Sequence, residues 1–190
     1  SLNVFEVLTY GRKKNYLGLM EYIMKGMNNL IAGGAELNAW TGNTPHIVFD
    51  DLQAGSLVPL ISIVESASCR ASQEGIRKAG LRGTTFTMRE DFFKSSFRAI
   101  GIQVVSPNTH EIELIGEKIS DELEHGIVLE ETQHSFKNII QRMVDEENID
   151  CIILGCTELP FLFKGLPLPV KFLDTLEIHV DELLRQDNDN

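Results

Sequence analysis

Ile152-Ile153-Leu154-Gly155-Cys156-Thr157-Glu158 passes from an unbroken apolar run into a glycine, a thiol, a hydroxyl and a carboxylate. Apolar runs without alternation suit strands buried on both faces, the habit of parallel sheets. Three other stretches share this character: Val58 to Val64, Gly101 to Val105 and Val170 to Leu173. Helical patterns lie between them. Met20, Ile23, Met24, Met27, Leu30 and Ile31 recur at three- and four-residue spacing before Gly33-Gly34, and Phe136, Ile139, Ile140, Met143 and Val144 do so before Asn148. Strand and helix patterns in alternation predict an α/β fold with parallel sheets and right-handed crossovers. Only Arg185 to Asn190 reads as a polar tail.

The composition is compatible with this and narrows the partners. The chain has 190 residues, 43% of them hydrophobic and 24% charged, which is globular rather than disordered. Its 17 basic and 28 acidic residues give a net charge of −11, a field that repels phosphate backbones and anionic lipid. Nucleic acid and membrane are therefore not expected as partners. The longest apolar run, interrupted by Pro59 and Ser62, falls well below the roughly 18 residues of a bilayer span, and no leader is expected. Cys69, Cys151 and Cys156 suit neither a disulfide framework nor a cysteine-rich zinc site. The expectation is an acidic protein of a reducing cytoplasm.

A weak internal repeat organises the chain further. Trp40-Thr41-Gly42-Asn43-Thr44-Pro45 and Leu154-Gly155-Cys156-Thr157-Glu158-Leu159 are two strand ends. Each leads to a proline-led strand, Val58-Pro59-Leu60-Ile61 and Leu168-Pro169-Val170-Lys171, so Gly42 and Cys156 take matching places in two halves. Leu81, in the opening unit of the later half, stands 75 residues before Cys156, whereas only 41 residues precede Gly42. If the repeats match in length, about 33 residues are expected to be missing before Ser1. The expected division is a second α/β domain at 77–165 and a first domain, lacking its opening strand and helix, at 1–76 plus 166–190.

Ligands of open parallel sheets gather at the carboxyl ends of strands. Cys156 is expected there, opening a helix whose N–H groups favour thiolate, unless it is a buried structural cysteine. Cys151, with apolar neighbours, is expected in the core. Asn43 and Thr44 can orient a carboxylate or simply form an N-cap and turn. His46 reads as a base or as an outward, capping group. Gly83-Thr84 and Thr87-Met88 form another turn able to hold an anion, with too few glycines for a phosphate loop. Asp174-Thr175, with His179 one turn on, is a fourth polar strand end or a helix cap. Glu111 to Glu131 reads as solvated helix faces without metal-ligand spacing.

The strings TGNTPH at 41–46, GTTFTM at 83–88, GCTELP at 155–160 and LDTLEIH at 173–179 resemble the aspartate/glutamate racemase family in order and spacing over nearly the whole chain. The start SLNVFE resembles the family's second strand. The resemblance implies two similar α/β domains related by a pseudo-twofold axis, with the active site between them and no pyridoxal phosphate, metal or nucleotide. It implies an amino-acid racemase acting at the α-carbon of a small amino dicarboxylate, and a homodimer. Inversion needs a base on one face and a proton donor on the other, and the family uses a cysteine from each half, with nearby donors steadying the carbanion. Carried over, Cys156 is the second catalytic thiol, and Asn43, Thr44, Thr84 and Thr157 are carboxylate-binding donors. The first thiol is replaced by Gly42. Thr41, one residue earlier on a strand, would face the other way. Asn38 and Trp40 stand where the family is aliphatic, and its glycine-rich opening loop is missing. Any catalysis is then one-sided. The competing readings are a non-catalytic small-carboxylate-binding protein or truncated remnant, and a single-cysteine decarboxylase resembling the arylmalonate decarboxylases.

Overall fold

The computed structural model describes residues 2–188. The chain opens with α1 (Val4–Arg12), α2 (Tyr16–Ala32), β1 (Asn38–Ala39) and a 3₁₀ turn over Thr44–Val48. It continues through α3 (Phe49–Gly55), β2 (Leu60–Ile61), α4 (Ile63–Gln73), β3 (Lys78–Gly83), α5 (Thr85–Arg89), α6 (Phe92–Ala99) and β4 (Gln103–Val105). Then come α7 (Thr109–Asp121), a 3₁₀ turn at Leu123–His125, α8 (Glu130–Glu147), β5 (Cys151–Gly155), α9 (Leu159–Leu162), β6 (Lys171–Asp174) and α10 (Thr175–Asn188). All pairings are parallel: β1 with β2, and a second sheet in the order β4-β3-β5-β6. The chain is a parallel α/β protein.

The unbroken apolar run of β5 has a direct structural cause. Ile152 and Leu154 pack with Ile112, Ile115, Phe136 and Ile140 of α7 and α8. Cys151 and Ile153, on the opposite face, pack with Ile63, Ala67, Phe93 and Phe97 of α4 and α6. Both faces of the larger sheet are thus covered, so alternation has nothing to distinguish. A separate core of Val7, Leu19, Ile23, Met27, Leu52 and Leu60 joins α1, α2, α3 and β2. β6, inside the 166–190 segment grouped above with the first half, hydrogen-bonds to β5, while α10 packs against α4. That segment touches both halves.

Several local expectations are corrected. Of the opening stretch read as a strand, Ser1 lies outside the described residues, and Val4 onward is helix. The Asn3 side chain caps α1 by accepting from the Phe5 N–H at 3.0 Å, and Val7 and Gly11 form its buried side at helical spacing. The polar C-terminal stretch is also helical as far as Asn188, with Arg185 paired to Glu182 at 2.7 Å; residues 189–190 lie outside the described residues. Glu111 and Glu122 are buried rather than solvated. Glu111 completes a capping box with Asn108 and pairs with Arg142 at 2.6 Å. Glu122 pairs with Lys118 and accepts from the Thr132 hydroxyl at 2.5 Å. Among the described residues, no helix is long and apolar enough to cross a membrane.

Candidate functional site

The carboxyl ends of β3 and β5 meet at a pair of glycines. Gly83 stands opposite Gly155 in register, and a Cβ on Gly83 would lie 2.8 Å from the Gly155 carbonyl oxygen. Side chains at either position would force the strands apart. This close approach sets Thr84 and Cys156, the residues after the glycines, side by side at the sheet's carboxyl edge. The turn from the other half is tied to the same edge. The Thr175 hydroxyl donates to the Leu154 carbonyl at 2.8 Å and accepts from Asn43 Nδ2 at 3.3 Å. Asp174 caps α10 by accepting from the Leu176 N–H at 2.9 Å.

His46 proves to be a buried strut rather than an outward group or a base. Its Nε2 accepts from the Ile63 N–H at 3.1 Å, leaving Nδ1 to donate to the Gly42 carbonyl at 3.0 Å. The ring stacks on Phe49 with centroids 5.4 Å apart. Burial pulls its pKa down to about 3, so it is neutral at physiological pH. His179 is likewise buried, and its proton affinity is lowered by burial.

These elements enclose a cavity of about 340 Å³. Asn43, Thr44, Thr84, Cys156 and Thr157, the five residues singled out from the sequence, all line it, and so does Gly42. Gly42 has room for a side chain: an added Cβ would lie 3.5 Å from Pro45 Cδ, an ordinary contact, and its φ is not left-handed. The sequence alone gave no sign that α1 would wall the cavity, through Val4, Val7 and Leu8, or that Glu124 would join it. Glu124 is 32 positions from Cys156, and no local spacing links them. Glu158, two residues from the thiol, was within reach of a sequence reading. A larger cavity of about 420 Å³ between α4 and α10 is crossed by the Arg70–Asp181 ion pair at 3.1 Å and lies away from Cys156.

Cys156 is 9% exposed, and its Sγ donates to Glu158 Oε2 at 2.8 Å. Burial, then the charge and hydrogen bond of Glu158, push the thiol's pKa far up, and Glu124 adds to the rise. The expected helix-dipole support for thiolate is not there. α9 begins only at Leu159 and is four residues long. The site presents a protonated thiol with an adjacent carboxylate as its proton acceptor. Cys151, also buried, is pushed up to about 12 by burial and lies in the core as expected. Among the described residues, no group of three or more His, Cys, Asp or Glu side chains is arranged to hold a metal.

The fold and site can be set beside known proteins. An aspartate racemase homologue from Pyrococcus horikoshii is 34% identical, with a TM-score of 0.81 over 89% of this chain and 74% of that one. A candidate Asp/Glu racemase from Yersinia pestis is 28% identical, with a TM-score of 0.88 over 98% of this chain and 81% of that one. The glutamate racemase of Streptococcus suis is 24% identical over 154 residues, 76% of this chain and 53% of that protein. The chain thus spans about half the length of the curated relatives it matches. The sequence model of the Asp/Glu/Hydantoin racemase family matches residues 7–183. With that match covering nearly all of the α/β framework and every residue lining the Cys156 end of the cavity, the chain belongs to the Asp/Glu/Hydantoin racemase family.

Proposed function

We propose that this chain exchanges the α-proton of an amino acid with solvent through Cys156, on one face of the α-carbon. One observation carries the reading: Cys156 and Gly42 line the same cavity, so the second half offers a thiol while the matching position of the first half, between Thr41 and Asn43, offers no side chain. In the forward step the Cys156 proton passes to Glu158 Oε2, and the sulfur takes the α-proton. The carbanion is held as an enediolate by N–H and O–H donors from Asn43, Thr44, Thr84 and Thr157 around the substrate carboxylate. Return of a proton from sulfur to the same face regenerates the original enantiomer. Inversion would need a donor where Gly42 stands. Water there, unpositioned, costs about 10²–10⁴-fold, as for a lost acid–base group.

The same proposal has the cavity bounded by a first unit, 1–76 with 166–190, and a second, 77–165, in a cytoplasmic, cofactor-free homodimer. The relatives' printed names make aspartate and glutamate the first substrates to try. The test is α-proton loss in D₂O followed by NMR, with Cys156→Ala as the paired variant. Exchange that disappears in the variant supports the reading, and exchange that survives it refutes it. A non-catalytic carboxylate-binding protein is the second reading, favoured by Gly42. It predicts amino-acid binding without exchange in either form. A single-cysteine decarboxylase, favoured by the same glycine, predicts loss of CO₂ from a disubstituted malonate instead.

A further inference from the structure

Thr175 belongs to the fourth polar strand end, and the proton transfers leave it without a part. Its hydroxyl is not needed as a helix cap. Asp174 Oδ1 accepts from the N–H groups of both Leu176 and Glu177, at 2.9 and 3.2 Å. Thr175, 1% exposed, instead meets two partners from distant parts of the chain. It gives its proton at 2.8 Å to the carbonyl of Leu154, two residues before Cys156 on β5. With that proton committed its oxygen can only accept from Asn43, so the end of the Asn43 amide that meets it at 3.3 Å is Nδ2.

Little else fixes that amide. Among the described residues the Asn43 side chain makes no other hydrogen bond: it does not cap the 3₁₀ turn that follows it, and its Oδ1 is buried without a partner. A flipped amide would set its oxygen against the oxygen of Thr175 unless the hydroxyl gave up Leu154. With Oδ1 enclosed, Nδ2 and its second hydrogen are the end of the amide left to meet a ligand in the cavity that Asn43 lines. We propose that Thr175 is a positioning residue: it holds the Asn43 amide so that the second Nδ2 hydrogen meets the substrate carboxylate, at a spacing from Cys156 set through Leu154. It rests on the reading of the cavity as an amino-acid site. The carboxylate gains negative charge as the enediolate forms, so a donor held in place counts for more at that stage than in the bound amino acid. Losing the hold should therefore lower turnover more than binding.

The experiment follows the Asn43 side-chain amide by NMR in the nitrogen-labelled full chain, its signals assigned by their absence from Asn43→Ala. The pair is expected to shift as aspartate or glutamate, each enantiomer separately, is added. It should shift alike in Thr175→Ser, which keeps the hydroxyl, and not in Thr175→Val. At saturating amino acid, α-proton exchange in D₂O should fall by about 10–10²-fold in Thr175→Val, short of removing such a donor outright. Binding should weaken by about threefold or less, and Thr175→Ser should restore the exchange rate to within about threefold. In an Asn43→Ala background Thr175→Val should cost no further activity. Equal losses in the two backgrounds would overturn the proposal and make Thr175 a structural residue only. An Asn43 pair that none of the four amino acids shifts in the unmodified chain, a result that needs no variant to fold, would also overturn it. A shift that depends on Thr175, without exchange of any α-proton, would leave the positioning standing and refute the exchange reading alone.

Discussion

Gly42→Cys should convert one-sided exchange into inversion. An added Cβ meets Pro45 Cδ at 3.5 Å and Cγ at 3.8 Å and nothing nearer, on a backbone that L residues adopt freely. The substitution therefore introduces no strain. By restricting the unfolded chain it should stabilise the fold by about 0.4–1 kcal/mol. The new thiol would face a cavity already holding Cys156 and the donors of Asn43 and Thr84. A positioned acid–base group is worth about 10²–10⁴-fold, so inversion should rise by at least about 10². Gly42→Ala is the control, with the same stabilisation and no proton to give. The assay incubates a single enantiomer with each form, separates the products on a chiral column, and follows thermal melting in parallel. If Gly42→Cys melts normally and inverts no faster than Gly42→Ala, the placement of Gly42 opposite the working thiol is refuted.

Three further predictions concern the groups that build the site. Iodoacetamide should modify exposed Cys69 well before Cys156, and Glu158→Gln should speed alkylation of Cys156 near pH 8 while slowing exchange, because Glu158 opposes thiolate yet accepts its proton; peptide mass spectrometry reads the first and NMR the second. His46, buried and neutral, binds its proton more weakly folded than unfolded. Its contribution to stability is full above the unfolded pKa near 6.5 and falls as pH drops toward about 3. His46→Gln should flatten that part of the denaturation profile. Glu111→Ala should cost about 1–3 kcal/mol in urea unfolding, since it removes the two hydrogen bonds of Arg142 to Glu111, leaving that guanidinium to Glu146 and Glu147, and takes away the negative charge that acts on the fully buried Arg82.

The parts of this molecule that could be read from sequence are those whose cause is local. The run through Ile152 to Leu154 announces a strand covered on both faces, and α7 and α8 on one side with α4 and α6 on the other supply the cover. Gly155-Cys156 marks the strand's end because a close strand approach demands the glycine. What stayed hidden depends on distant partners. Val4 to Arg12 carries β-branched and aromatic residues that suit a strand, and its helix is settled by the Asn3 cap and by packing on α2. Glu111 resembles its solvated neighbours until Arg142, 31 positions on, draws it inward. The thiol's protonation is of the same kind. A strand-end cysteine before a helix suggests thiolate, but burial and Glu158 reverse the sign.

The central claim is that proton transfer runs through one thiol on one face, and the unmodified chain tests it directly. Each enantiomer of aspartate and glutamate is incubated separately in D₂O, with α-deuterium incorporation read by NMR and configuration by chiral chromatography. One enantiomer is expected to exchange its α-proton at least about 10²-fold faster than it inverts, the margin of a missing acid–base group, and Cys156→Ala to abolish the exchange. Equal rates of exchange and inversion from both enantiomers would contradict it.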